Sequence, residues 1–391
     1  MPINLTLAAR LAFLQLFKSN DTGLHFTPRR RAAVLLWYLV IPIHQILTFI
    51  CFYLDEIFFP LYRKQEIKAP VFIVGNFRSG STLLQRLLAR DPDHFTSMNI
   101  AQIYIAPTLT QRAFWKFIGA IDRVLFGGRG RKWLQERDRR WLDTIQMHKV
   151  GLFTPDEDEG LLITIWSTMF LQFVFPVVDE LPPYDHFDEE IPALQRRRIM
   201  GFYSAIIRRH LYDAGGDRIY LAKSPGHTAR IESIYEFFPD AHIIYLARNP
   251  LRLVPSALNF FKYIWNYMGV PDGARRFQAA MFRQFKYWYL YPMQRFRDKP
   301  KTRYMVLRYN DFVANVEETI QKVYEWMNIP LSDPFRRVVE QVVKANQAFE
   351  SDNVYTLEEL GLTRDLIRQE FAEVFDLFQF NREADAVSVM Q

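Results

Sequence analysis

The chain contains a single cysteine, Cys51, among 391 residues. An intramolecular disulfide is therefore excluded. A thiol nucleophile is disfavoured as well, because Cys51 lies in an apolar run. Asn-x-Ser/Thr patterns occur only at Asn4 and Asn20. Both scarcities favour a reducing compartment. The sequence shows no internal repeat and no low-complexity tract. Its formal net charge is only +6. Residues 1–70 hold eight Lys/Arg and four Asp/Glu, so most of that surplus sits near the N-terminus. This distribution suits an anionic membrane surface better than a nucleic-acid groove, and no nucleic-acid partner is expected. Apolar residues are plentiful: 49% of the chain is hydrophobic and 16% aromatic. That supplies a large core and excludes global disorder.

Two further absences bear on chemistry. Pro70 to Thr82 reads as a buried strand, a glycine-bounded loop and a helix start. The spacing Gly75, four residues, Gly80, then two more is that of a Walker A loop. The lysine of that motif is missing. Ser81 stands in its place, and Arg78 supplies a cation from inside the loop. Glycines let the backbone approach an anion, and the helix start aims the N–H groups of Ser79, Gly80, Ser81 and Thr82 at it. The second absence follows the apolar run 241–246. A kinase or ATPase would carry an Asp near such a strand end to hold Mg²⁺. This chain has Ala247-Arg248-Asn249-Pro250, with Ser256 eight positions after Arg248. A cation and a hydroxyl suit a second phosphate on a nucleotide, bound without metal. Between the two motifs a short strand ends in Lys223-Ser224-Pro225.

In these residues the chain resembles the sulfotransferases that use 3′-phosphoadenosine 5′-phosphosulfate (PAPS), and in particular the bacterial-type family. The family's 5′-phosphosulfate loop matches Gly75–Thr82, with Arg78 in the cation position. Its 3′-phosphate motif matches Arg248, Asn249, Pro250 and Ser256, and its Lys-Ser-Pro element matches Lys223-Ser224-Pro225. A later element resembles Arg308-Tyr309-Asn310-Asp311-Phe312. The similarity covers residues 55–330. It implies PAPS as co-substrate, no metal, and a Lys223 that donates to the bridging oxygen or a sulfuryl oxygen. The acceptor implied is a hydroxyl or amine on a lipophilic, small or lipid molecule.

The base is less defined. Relatives often place a Glu where this chain has Gln102, which cannot take a proton. Pro155-Asp156-Glu157-Asp158-Glu159 resembles the family's Pro-x-Glu-Asp-Glu element and makes Glu157 and Glu159 candidates. Packed carboxylates can raise a pKa toward a useful base. Alternatively these acids cap an apolar helix over 161–170. His148 is a second-ranked candidate. The aromatic runs 260–265 and 287–289 could line an acceptor pocket, although large aromatics at helical spacing usually belong to the core. Two rivals remain: an ATP-dependent P-loop phosphotransferase, and a membrane-associated nucleotide-binding scaffold without catalysis.

Strands alternating with helices imply an α/β fold, a P-loop-like parallel sheet flanked by helices. Helices are expected over 82–90, 110–150, 230–238 and 313–327, a strand over 303–307, and a surface loop over the acid- and proline-rich 179–193. The chain divides into an N-terminal helical segment, 1–60, and a catalytic domain, 61–391. Ala32–Leu54 is 23 residues without formal charge, enough to span a bilayer, but Pro42, His44 and Gln45 interrupt it. The expectation is a hydrophobic helix lying in the cytoplasmic leaflet, with Arg29-Arg30-Arg31 on anionic headgroups. A helix packed on the α/β domain, or a single span with a luminal catalytic domain, are the alternatives. The sequence leaves the oligomeric state open.

Overall fold

The structure, a computed structural model, describes residues 2–17, 27–142, 151–270, 273–346 and 357–381. Five strands form one parallel sheet: β1 Val71–Gly75, β2 Phe95–Thr96, β3 Ile219–Lys223, β4 His242–Ala247 and β5 Tyr304–Arg308. Their order is β2-β3-β1-β4-β5, so β1 lies between the strands that carry the other two motifs. Ile73 pairs with Lys223, and Gly75 with Leu246. These registers bring the carboxyl ends of β1, β3 and β4 together.

Side-chain alternation sorts the core into two layers. Phe72 and Val74 of β1, with Ile243 and Tyr245 of β4, face the larger cluster. Val71, Ile73, Ile244 and Leu246 face the smaller one. The smaller layer is closed by helix α3, Ser81–Leu88, through Leu84, Leu87 and Leu88. Each such leucine contributes about 1.5–3 kcal/mol when buried. The α/β expectation is met, and so are the helix Ile231–Phe237 and the strand at β5. The expected helix over 313–327 is split into Tyr309–Ala314 and Val316–Met327. The expected apolar helix over 161–170 is instead a 3-10 segment, Asp158–Ile165, ended by Trp166 in the left-handed conformation.

The stretch 179–193 is not a surface loop. Tyr184 and Phe187 are fully buried. The Asp188 carboxylate accepts from the backbone N–H groups of Glu232 (2.8 Å) and Ser233 (3.2 Å), the first turn of the helix Ile231–Phe237. The Tyr291 hydroxyl also donates to it at 2.6 Å. Burial raises the Asp188 carboxyl above its ordinary range.

Two helices precede the sheet: α1, Leu5–Phe17, and α2, Pro28–Phe58. Thr27 caps α2 by accepting from the Arg30 N–H, and the helix continues through Pro42. Its inward face is mixed, with Val34 and Phe52 buried beside polar groups. The polar side chains face the body: Arg30 donates to Gln15 (2.9 Å) and to the Val174 carbonyl, and Gln45 to the Thr164 carbonyl (3.2 Å). Thr48 accepts from Gln111 at 3.0 Å. Leu35, Leu39, Ile43, Ile46, Leu47 and Ile50, by contrast, are exposed. By length and composition α2 could cross a membrane, yet only 11% of its apolar window is buried. Arg30 is not available to headgroups as expected. It is buried, and that burial lowers its guanidinium to about 10.

Asp55 fastens the C-terminal end of α2. It is fully buried and pairs with Arg209 at 2.8 Å. It also accepts from the N–H groups of Leu109 (3.0 Å) and Thr110 (2.7 Å), which open helix α4, Leu109–Phe126. A capping box between Thr108 and Gln111 completes that helix start. α4 is followed by α5, Arg129–Leu142, after a break at Gly127-Gly128. Removing one partner of a buried pair leaves an uncompensated charge, at a cost of about 3–5 kcal/mol. Asp55→Ala should therefore lower stability by roughly that amount, read as a drop in the urea midpoint. An unchanged midpoint would show that α2 is not held through Asp55.

Candidate active site

The loop after β1 is shaped by close approaches. Gly75 has φ +140°, and a Cβ there would lie 2.4 Å from the Leu246 carbonyl oxygen. Gly80 has φ +94°, and a Cβ there would lie 2.5 Å from the Tyr309 ring. Only glycine satisfies both demands. Arg78 itself takes a left-handed φ of 64°. Thr228 clamps the start of the loop: its hydroxyl accepts from the Gly75 N–H (2.8 Å) and donates to the Gly75 carbonyl (3.1 Å). Gly80 is the N-cap of α3, and no side chain caps that end. The first N–H groups of α3 can thus face an anion.

Arg78, Arg248 and Ser256 come together. The Arg78 Nε donates to the Ser256 hydroxyl at 3.1 Å, and Arg248 donates to the Arg78 carbonyl at 2.8 Å. The Arg248 guanidinium lies over the Tyr309 ring, 4.4 Å from its centroid. Tyr309 therefore touches both Gly80 and Arg248. The sequence flags the Arg308–Phe312 element, but not this double contact, which depends on β5 standing beside β4.

Lys223 is fully buried at the end of β3 and donates to Glu157 at 2.5 Å. Glu157 is partly exposed and lines a cleft of about 390 Å³, with Arg78, Gly80, Ser81, Thr82, Asp156 and Arg248. The same cleft has an apolar wall of Phe77, Phe170, Phe173, Phe260 and Ile264. The run 260–265 is thus divided: Phe260 and Ile264 line the cleft, while Phe261 and Trp265 are core. Trp288 and Tyr289 of the second run are also core.

The remaining acids do not reach the cleft. Glu159 is fully buried. It accepts from Arg230 (2.7 Å), Thr168 (2.7 Å) and Ser224 (2.8 Å). Every part of its carboxylate is committed to the interior, so the structure separates Glu159 from the other candidates. Asp158 accepts from Tyr203 and from Tyr220 (2.7 Å) and sits 3.1 Å from His227. Burial, then the Asp158 charge, pushes both tyrosine hydroxyls well above their ordinary range, so they remain donors. His148 lies outside the described residues. Gln102 forms a reciprocal pair with Asn99 in the π-helical turn Ala101–Ile105. The next residues of that turn bring Tyr104 to the cleft. The hydroxyl end of Tyr104 packs on Gly160. The side chain as a whole is exposed, but loss of water at its hydroxyl end, then the Asp156, Glu157 and Glu159 charges, raises the phenol.

The two glycines should respond differently to substitution. Either Gly75→Ala or Gly80→Ala places a side chain at positive φ, a strain of about 1–3 kcal/mol. In Gly80→Ala the obstacle is a movable ring, so adding Tyr309→Ala should recover part of the lost thermal stability. In Gly75→Ala the obstacle is a backbone carbonyl, and truncating Tyr309 should recover nothing. Equal rescue in both backgrounds would refute this account of the loop.

The chain is similar to proteins of one known family. The profile of the sulfotransferase family matches residues 70–333. The chain is 23% identical over 330 residues to the omega-hydroxy-beta-dihydromenaquinone-9 sulfotransferase Stf3 of Mycobacterium bovis and of Mycobacterium tuberculosis. That alignment spans 80% of this chain and 76% of theirs. Among solved structures, sulfotransferase STF9 from Mycobacterium avium has a TM-score of 0.64 at 17% identity, over 97% of this chain and 98% of that one. Sulfotransferase STF1 from Mycobacterium tuberculosis has a TM-score of 0.66 at 14% identity, over 93% and 90%. These two structures share the fold. The family match runs from β1 through β5 and covers all three motifs, so the chain belongs to the sulfotransferase family.

Proposed function

We propose that this enzyme moves a sulfuryl group from PAPS to a hydroxyl or amine on a lipophilic acceptor. The observation that carries the reading is a cleft lined both by the cations Arg78 and Arg248 and by the aromatic side chains Phe77, Phe170, Phe173 and Phe260. In this reading Arg78 and the N–H groups of Ser79, Gly80, Ser81 and Thr82 hold the 5′-phosphosulfate. Arg248 and Ser256 hold the 3′-phosphate, and no metal takes part. Phe77, Phe170 and Phe173 take the apolar body of the acceptor. The Stf3 relatives are named for a hydroxylated dihydromenaquinone, which supports an apolar acceptor bearing a hydroxyl.

The reaction is an in-line displacement. The acceptor oxygen or nitrogen attacks sulfur, and the bond from sulfur to the bridging oxygen breaks. Its electron pair stays with the departing bisphosphate nucleotide. Lys223 donates to that oxygen as charge builds, an interaction strongest in the transition state. Glu157 takes the acceptor's proton, since it is the candidate carboxylate in the cleft. The catalytic portion is 61–391. The N-terminal segment 1–60 holds the enzyme peripherally at the cytoplasmic membrane face. The inward hydrogen bonds of α2 weigh against a single span, because a spanning helix would have to leave Arg30, Gln45, Thr48 and Asp55 without their partners.

Arg248→Ala removes a charge-assisted contact of about 1.5–3 kcal/mol, or roughly 10–150-fold in affinity. It should weaken PAPS by that factor and adenosine 5′-phosphosulfate, which lacks the 3′-phosphate, very little. Equal losses would reject the assignment, and so would a donor affinity that a chelator abolishes. Two conservative changes separate the acids. Glu157→Gln should suppress kcat and keep the unfolding midpoint. Glu159→Gln breaks a buried pair with Arg230 and should lower stability by about 3–5 kcal/mol. A Glu157→Gln enzyme with normal kcat would remove Glu157 as the base.

A further inference from the structure

Beyond Arg112, α4 leaves the body. Residues 113–120 are all exposed, and Phe114, Trp115 and Phe117 each show more than half of their surface. Val124, Leu125 and Phe126 at the far end of α4, and Trp133 on α5, are exposed as well. A soluble monomer rarely leaves so much apolar surface contiguous and uncovered. These residues are interleaved with cations. Between 113 and 140 there are eight Lys/Arg against three Asp/Glu, a local surplus of five positive charges. Large apolar side chains mixed with arginines suit the boundary between headgroups and acyl chains, where the rings sink and the guanidinium groups stay at the phosphates. A second copy of this chain would set two surfaces of the same sign against each other, which disfavours a symmetric dimer through the hairpin.

The hairpin starts beside α2, which leaves its own apolar face exposed. α4 begins against that helix, at the Gln111–Thr48 hydrogen bond and at Asp55. Neither element lines the cleft itself, but each is joined to a segment that does. Arg30 of α2 donates to the carbonyl of Val174, the neighbour of Phe173 in the cleft wall. α4 opens five residues after Tyr104, another lining residue, and Ile105 between them is exposed. We propose that the α4–α5 hairpin and the outer face of α2 form one docking surface for an anionic lipid bilayer, and that the acceptor passes from this bilayer into the cleft beside Tyr104. This rests on the lipophilic-acceptor reading above and adds its source.

The test is co-sedimentation of the full chain with vesicles, either of phosphatidylcholine alone or of phosphatidylcholine and phosphatidylglycerol in a two-to-one ratio. The protein should partition onto the anionic vesicles, less onto the neutral ones, and less as salt rises. Replacing three hairpin cations together, Arg129→Gln, Arg131→Gln and Lys132→Gln, should weaken partitioning about 100-fold, since each cation near such a surface is worth about 1 kcal/mol. Phe117→Glu with Val124→Glu should abolish it. Both positions are exposed, so PAPS affinity should stay at the wild-type value in either variant. Failure of the wild type to bind either vesicle would overturn the proposal, as would wild-type partitioning by both variants. So would a concentration-dependent dimer that Phe117→Glu with Val124→Glu dissolves, because it would give the apolar face to a second copy. A protein that binds vesicles but not PAPS would leave the docking surface standing and reject the donor reading instead.

Discussion

The site depends on one constraint: Glu159 and Arg230 are both fully buried, and neither charge is tolerable without the other. Their 2.7 Å contact joins the acid segment before Trp166 to the turn Pro225–Arg230 that follows β3. Neighbouring contacts share that seam. Ser224 donates to Glu159, His227 faces Asp158, and Lys223 donates to Glu157. Thr228 of the same turn closes on both backbone groups of Gly75. One buried pair therefore sets the spacing between the acid segment, the lysine and the glycine loop. Gly226 fits the same logic, since a Cβ there would collide with the Glu159 carboxylate. Three consecutive acids carry three different duties because a 3-10 segment turns each successive side chain to a new direction.

That division explains why part of the site could be read from residues and part could not. The strand-loop-helix pattern at Gly75–Thr82 and the strand end at Arg248 are local signals, written in glycine spacing and apolar runs. The parallel sheet then brings Arg78, Arg248 and Ser256 together as the spacing implies. The fates of Glu157 and Glu159 are not local. They differ because Glu157, paired with the buried Lys223, keeps one side open to the cleft, while Glu159 and its partner Arg230 are both fully buried, a distinction that only the tertiary packing makes. Tyr309 is similar. Its contacts with Gly80 and Arg248 arise from strand order, which no single segment encodes. Asp188 defeats compositional reasoning more simply. A stretch rich in proline and acid reads as solvent-exposed, yet its carboxylate caps a helix and its tyrosine and phenylalanine fill the core.

α2 shows the same limit in the opposite direction. Its composition is that of a membrane span, and Pro42, His44 and Gln45 read as interruptions. In the fold the inward polar residues are the attachment points. Arg30, Gln45, Thr48 and Asp55 recur along the face that meets the body, and each has a partner there. Hydropathy averages over both faces and so cannot separate a span from a helix whose apolar side is merely left outward. Val34 and Phe52 are buried on the same face, and Trp37 and Tyr38 pack on Phe175 and Trp166, so the seating is mixed polar and aromatic. A second apolar stripe, Leu35 to Ile50, remains outward for another medium.

On the proposed reading, a donor that carries several negative charges and an acceptor that is apolar make conflicting demands on one cleft. Cations and helix N–H groups must be preorganised for the first, and a dry aromatic wall must exist for the second. Here the conflict is resolved by source. The cationic side is built from strand ends and the loops that follow them, which the parallel sheet aligns without further help. The aromatic side takes Phe77 from the glycine loop, but its other members, Phe170, Phe173, Phe260 and Ile264, belong to segments between or after those strands. Phe173 stacks on Phe261 and meets Phe260 edge-on, so the wall is continuous with the core rather than a lining laid over it. Arg30 in turn fixes the backbone beside Phe173 from the underside of α2. The apolar half of the cleft is therefore held by the same helix that presents its other face outward, and its shape depends on the seating of that helix.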